Sequence, residues 1–242
     1  MIVFFDIGDT LIDESRYARS IHERLHRLFA ERRMDYTIDQ FLEQWDMVTT
    51  RSGWRSFFEL LIDLSKLAGH DTMFAMELFQ EFSLRIAPLA RELFQPFPDA
   101  HSTLERLRQM RGPDGEPLRL GMLANQPLWI RQRMQEWGLL DFFEPGLVII
   151  SDEVGVNKPQ PEIFQFALYR ARAQAQDAVM VGNDFRNDIL PTKALGWHTF
   201  WLRRPNPYQR QQAPTPDDTS AADTQLQQLR EVPAALEALG CS

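Results

Sequence analysis

Five short apolar runs constrain this chain more than any other feature: "IVFF" (2–5), "LRLGMLA" (118–124), "GLVII" (146–150), "AVMV" (178–181) and "TFWL" (199–202). None alternates regularly with polar residues, so each predicts a strand buried on both faces. Amphipathic helical patterns lie around them, such as "DAHSTLERLRQM", "LWIRQRMQEWG" and "PEIFQFALYRARA". Strands and helices in alternation predict an α/β fold, a Rossmann-like parallel sheet with helices on both faces. Ligands of such sheets bind outside the carboxyl ends of the strands. Asp6, Asn125, Ser151-Asp152 and Gly182-Asn183-Asp184 then share one edge. An acid at the end of a buried strand is costly to desolvate, which marks Asp6 as a residue with a task.

Residues 14–95 interrupt the alternation. Apolar residues recur there at three- and four-residue spacing in "YARSIHERLHRLFA", "FFELLIDLSKLA" and "MFAMELFQEF", and Thr37-Ile38-Asp39-Gln40 reads as a capping box. The expected organisation is an α/β core over 1–13 and 96–242, with an all-helical domain over 14–95 inserted. "FQPFPD" (94–99) would carry the chain back into the core. "RRPNPYQRQQAPTPDDTSAADT" reads as a surface loop, and "QLREVPAALEAL" as a closing helix.

A formal charge of −8, with 26 scattered Lys and Arg, argues against nucleic acid or an anionic membrane as partner. No run approaches the eighteen or so apolar residues of a membrane span. Cys241 is the single cysteine, so no intrachain disulfide can form. With no leader pattern at the N-terminus, the expectation is a cytoplasmic monomer or homodimer.

Order and spacing carry the strongest signal. Asp6, Ala124-Asn125, Lys158-Pro159 within "SDEVGVNKPQPEIF", and "VGNDFRND" (181–188) follow one another along the chain. This series resembles the haloacid dehalogenase-like (HAD) hydrolases, in the subgroup with a helical cap inserted after the first strand. The resemblance extends over essentially the whole chain, and it implies a phosphatase-like hydrolase. Asp6 would be the nucleophile, attacking phosphorus to form an aspartyl-phosphate. Lys158 would neutralise the nucleophile and the group in transfer. Asn125, with Thr10 and Asp9, would lie on the substrate-binding side. Mg2+ would be held by Asp6, the Gly8 carbonyl, Asp184 and Asp188, a hard cation on oxygen ligands. The substrate would be a small phosphorylated molecule.

Three positions depart from the phosphatase pattern. Gly8 stands where the family usually has an acid that protonates the leaving group. Ala124 stands where a Ser or Thr hydroxyl usually binds a phosphoryl oxygen, and Asn183 where many members carry a metal-binding acid. Asp9, one residue past the usual acid, either reaches the leaving group through flexibility at Gly8 or bonds nearby amides as a turn aspartate. The alternatives are a catalytically degenerate binding or regulatory protein and a C–halogen hydrolase. Dehalogenases of the family, however, carry a bulky aromatic at the position of Gly8 and keep the hydroxyl lost at Ala124. "HERLH" (22–26) matches a zinc signature, but no segment offers a third ligand, so it reads as an amphipathic helix face. Trp54, Phe57 and Phe58 read as the apolar interior of the insert, and Arg16, Arg51 and Arg55 as surface charges.

Overall fold

The computed structural model describes residues 1–31, 37, 39–40, 56–67, 69, 72–81, 83–84, 87–204 and 222–242. The chain divides into two compact units, one built on Met1–Asp13 and Pro96–Pro205 with the C-terminal residues to Ser242, the other on Glu14–Gln95.

In chain order the strands are β1 (Ile2–Phe5), β2 (Ile12–Asp13), β3 (Gln95–Pro96), β4 (Arg119–Ala124), β5 (Val148–Ile150), β6 (Ala178–Gly182), β7 (His198–Leu202) and β8 (Thr224–Leu226). Six of them form the sheet of the first unit, in the order β5-β4-β1-β6-β7-β8. All neighbours in it are parallel. β2 and β3 form a separate two-stranded pairing. The chain adds strands first on one side of β1 and then on the other. The order therefore reverses at β1, and its carboxyl end is the place where an open α/β sheet forms a crevice.

The five apolar runs form β1, β4, β5, β6 and β7. β1 is buried throughout, with Phe4 and Phe5 at 0 % exposure. Phe4 packs on Trp197 on one face, ring centroids 5.3 Å apart, in a cluster with Leu123, Ile163 and Phe164. On the other face Phe5 meets Phe143 edge-on at 6.2 Å. A glycine inside β4 looks out of place in a strand, but a Cβ on Gly121 would lie 2.5 Å from the Phe4 ring. The bare backbone there makes room for the aromatic ring.

β8 has no counterpart among the apolar runs, because "TQL" buries only Leu226 and follows a polar, Pro-rich stretch. Asp223 fastens it. Its carboxylate accepts from the Thr199 N–H at 2.9 Å and the Thr199 hydroxyl at 3.1 Å, and pairs with Lys193. Burial pushes the Asp223 pKa up, but Lys193 and Thr199 outweigh it and hold the carboxyl below its ordinary value. Asp223→Ala should therefore cost about 1–3 kcal/mol, since Thr199 is fully buried and would lose this acceptor. Urea unfolding of both proteins measures the loss. A depressed carboxylate contributes fully above its unfolded pKa and loses that contribution as pH falls through the lower, folded value. The difference between the proteins should shrink on acidification in that range.

The second unit contains the helices Ser15–Glu31, Ser56–Leu67, Thr72–Glu81 and Ala90–Leu93. Tyr17 packs edge-on against Phe94 at 5.2 Å. The capping box is present in reciprocal form: the Thr37 N–H donates to Gln40 Oε1 at 2.9 Å and the Gln40 N–H to Thr37 Oγ1 at 3.3 Å. The helix it opens lies largely outside the described residues. So do Trp54, Arg51, Arg55, the side chains of Phe57 and Phe58, and most of the 203–224 loop. The closing helix is a short 3-10 turn, Leu229–Glu231, followed by Val232–Glu237.

Candidate active site

The parallel register places the ends of β1, β4 and β6 side by side. Phe5 is level with Met122 and with Val181, and the Asp6 N–H still bonds the Val181 carbonyl at 2.9 Å. One step further along, Asp6 stands beside Gly182. After Asp6 the chain turns sharply: the N–H groups of Thr10, Leu11 and Ile12 lie 3.2, 2.8 and 3.0 Å from the Ile7 carbonyl. Gly8 forms a bridge with Ile12. The residue of this turn with left-handed backbone is Asp9, at φ 51°, rather than Gly8. Aspartate tolerates that region at a modest cost. Thr10 reaches across to the residue that follows β6, its hydroxyl donating to Asn183 Oδ1 at 3.2 Å. Asp9 and Thr10 are both buried.

Lys158 is the hub of the site. Its Nζ donates to Asp6 Oδ1 at 2.7 Å and to Asp188 Oδ1 at 2.5 Å. All three residues are buried, Lys158 at 3 %, Asp6 at 8 % and Asp188 at 0 % exposure. One ammonium cannot neutralise two buried carboxylates, so one of the two acids resists ionising. Burial pushes Asp188 up, Lys158 pulls it down, and the charges of Asp6 and Asp184 push it up again, to about 8. Burial works against the Lys158 charge, but Asp188 and Asp6 outweigh that and raise its pKa above the ordinary lysine value.

Asn125 holds Lys158 in place rather than touching the acids. Its Nδ2 donates to the Lys158 carbonyl at 2.8 Å, and its Oδ1 accepts from the Lys158 N–H at 2.8 Å. The carboxamide thus bonds to both polar groups of the lysine's own main chain. Ala124, before it, is fully buried at the end of β4 and presents only a methyl group.

Asp184 and Asp188 divide their work. Asp184 caps the wide helical turn Phe185–Ile189, accepting from the N–H groups of Arg186 and Asn187 at 3.0 Å each and from Asn187 Nδ2 at 2.6 Å. Its carboxylate is therefore not among the groups gathered on Lys158, although its N–H donates to Asp188 Oδ2 at 3.1 Å. Among the described residues no three His, Cys, Asp or Glu side chains cluster as a metal site. His22 and His26 share a helix face, ring centroids 6.0 Å apart, but they too lack a third ligand among the described residues. The groups around Asp6 nonetheless fit a hard cation. Asp6 and Asp188 already converge on a single positive centre at Lys158, the donors are all oxygen, and Mg2+ ordinarily keeps several waters of its own.

Gly182 is a requirement that spacing alone does not reveal. A Cβ there would lie 2.2 Å from Asp188 Oδ2 and 2.5 Å from its Cγ. The signal in the sequence is a glycine ending a β-strand just ahead of an acid-rich turn. Gly182→Ala should push Asp188 off Lys158 and cost about 1–3 kcal/mol of stability. Urea unfolding checks this, with Gly121→Ala as a second overpacked strand position that leaves Asp188 untouched.

Comparison with known proteins bears on this arrangement. A profile of the haloacid dehalogenase-like hydrolases matches residues 1–196. A glyceraldehyde 3-phosphate phosphatase of Methanothermobacter thermautotrophicus is 29 % identical over 198 residues, covering 80 % of this chain and 81 % of that protein. A HAD phosphatase of Thermococcus onnurineus superposes with TM-score 0.60 at 25 % identity, covering 97 % of each chain. A 2-haloacid dehalogenase of Pseudomonas syringae does so almost equally, with TM-score 0.61, 25 % identity and 98 % of each chain. Backbone likeness alone thus does not separate the two chemistries, and the residues at the strand ends must. With a family profile over most of its length and the Asp6–Lys158–Asp188 cluster at the sheet's switch point, the chain belongs to the haloacid dehalogenase-like hydrolases.

Proposed function

We propose that this chain is a Mg2+-dependent phosphatase acting on a small phosphate monoester through an aspartyl-phosphate at Asp6. The observation that carries this reading is the Lys158 ammonium bonded to Asp6 and Asp188 together. Lys158 takes Oδ1 of Asp6 and so fixes the rotamer, leaving Oδ2 to attack phosphorus. The bond from phosphorus to the leaving oxygen breaks as the Asp6 Oδ2–P bond forms. Water then attacks phosphorus and Asp6 departs as a carboxylate, releasing inorganic phosphate. Lys158 keeps its proton throughout and offsets the charge that moves between carboxylate and phosphoryl oxygens. Asp6 and Asp188, with the Gly8 carbonyl and support from Asp184, would hold Mg2+, which when bound supplies further charge neutralisation at the phosphoryl group. Glu14–Gln95 serves as the cap domain in this reading.

A dehalogenase reading is disfavoured by Gly8 and Ala124, which lack the side chains that chemistry uses. Among the described residues no helix is long and apolar enough to cross a membrane. A panel of phosphate esters, assayed with and without Mg2+ and with Asp6→Asn as the blank, tests the proposal. Glyceraldehyde 3-phosphate belongs in the panel because a relative's name carries it. Mg2+-dependent release of phosphate, absent in the blank, is the expected result. Inactivity toward every ester, with the fold intact, would leave a degenerate binding protein.

A further inference from the structure

Asp99 occupies the N-cap position of the helix Ala100–Gln109 yet makes no side-chain bond to that helix. A capping aspartate is ordinarily worth about 1 kcal/mol, so its diversion needs a reason. Its carboxylate instead accepts from Arg204 Nη2 at 2.7 Å and from the Arg230 N–H at 3.4 Å. The same guanidinium lies over the ring of Phe97, 3.9 Å from its centroid. The paired side chains are only 14 % and 18 % exposed. Enclosure of this kind lifts a cation–π contact and an ion pair above their surface worth. Phe97 in turn donates its N–H to the Leu11 carbonyl at 2.9 Å. Leu11 belongs to the turn after Asp6, whose amides converge on the Ile7 carbonyl. An unbroken path of contacts therefore runs from Arg204, just beyond β7, to the loop that carries Gly8 and Thr10.

We propose that Arg204 is a positioning residue for the nucleophile loop. It covers the Phe97 ring and holds Asp99 through Nη2, fixes the segment that holds Leu11, and so sets the geometry of residues 7–12. Arginine suits the task because its planar group stacks and donates in plane at once, whereas a lysine ammonium has no such plane. The inference rests on the phosphatase reading only in that this loop presents the Gly8 carbonyl and Thr10 to the site.

Amide hydrogen exchange on the whole 242-residue chain, metal-free, tests it, with Arg204→Met, Arg204→Lys and Asp223→Ala compared to wild type. In Arg204→Met the Leu11 and Ile12 amides should exchange about tenfold faster. Arg204→Lys should fall between that variant and wild type. Asp223→Ala loosens the far edge of the same sheet and should leave these two amides unchanged. Calorimetric titration with Mg2+ gives the second readout, and Arg204→Met should bind it about three- to tenfold more weakly. Wild-type exchange at Leu11 and Ile12 in Arg204→Met would overturn the inference. So would equal acceleration across the whole core in Arg204→Met and Asp223→Ala, which would mark a general loss of stability. If wild type binds no Mg2+ while the two amides respond as described, the metal-dependent reading fails and the positioning role stands.

Discussion

Replacing Asp6 by asparagine should end turnover and leave the protein more stable than wild type. Removal of the attacking oxygen should lower the rate by a factor of about 10⁴ or more. The gain in stability comes from the same cluster. Lys158 is shared between two buried carboxylates, and burial with the charge of Asp6 helps push Asp188 up to about 8. In the Asp6→Asn protein the competition for Lys158 is gone, Asp188 can ionise beside it as a matched partner, and the amide oxygen still accepts from Nζ. An increase of about 0.5–2 kcal/mol is expected, the size usual for relief of an active-site conflict. Lys158→Met should do the opposite. It leaves two carboxylates buried without their cation and should cost about 3–5 kcal/mol. Activity should fall with it. Millimolar Mg2+ should raise the melting temperature of Lys158→Met more than that of wild type, because the ion replaces the missing charge. Urea and thermal unfolding, with and without Mg2+, measure all of this. A less stable Asp6→Asn protein would show that the two acids do not compete for Lys158.

The second large effect concerns Gly8. A position without a side chain cannot protonate a leaving group, so the rate should depend steeply on how well that group departs as an anion. Aryl and acyl phosphates need little proton donation, whereas sugar and alcohol phosphates need much. Wild type should turn over the first class measurably and the second poorly. Gly8→Asp should raise the rate on alkyl esters selectively, by up to about a hundredfold. The backbone permits the change, since the left-handed residue of this turn is Asp9 and not Gly8. The gain has a ceiling because Ala124 still offers no hydroxyl to the phosphoryl group. Steady-state rates across a leaving-group series in both proteins settle the matter. Parallel rates on aryl and alkyl esters in wild type would show that a proton reaches the leaving oxygen from elsewhere.

Much of the fold is legible in the sequence because burial on both faces leaves an unbroken apolar run. Five strands of the sheet announce themselves that way. β8 does not, since an edge strand that buries a single leucine carries almost no pattern. At the site, Asp6 and Lys158 stand out through position and spacing, and the structure brings them into direct contact. The acids after β6 are legible as a group but not in their individual directions. Whether a carboxylate faces a lysine or the amides of its own turn depends on a rotamer, and Asp184 and Asp188 differ in that respect. Asp99 is hidden for a related reason: a residue that looks like an ordinary helix cap bonds instead to an arginine 105 positions away.

The central place of β1 has a consequence for synthesis. Its neighbours β4 and β6 begin at Arg119 and Ala178, so more than a hundred residues must leave the ribosome before "IVFF" gains its first partner strand. At about 5–20 residues per second, that interval is roughly 6–25 s. During this time a nascent chain displays an apolar segment of high β-propensity, prone to pair with other chains. Production of this protein should therefore depend on chaperones that bind nascent chains, and on translation that is not forced too fast at too high a concentration.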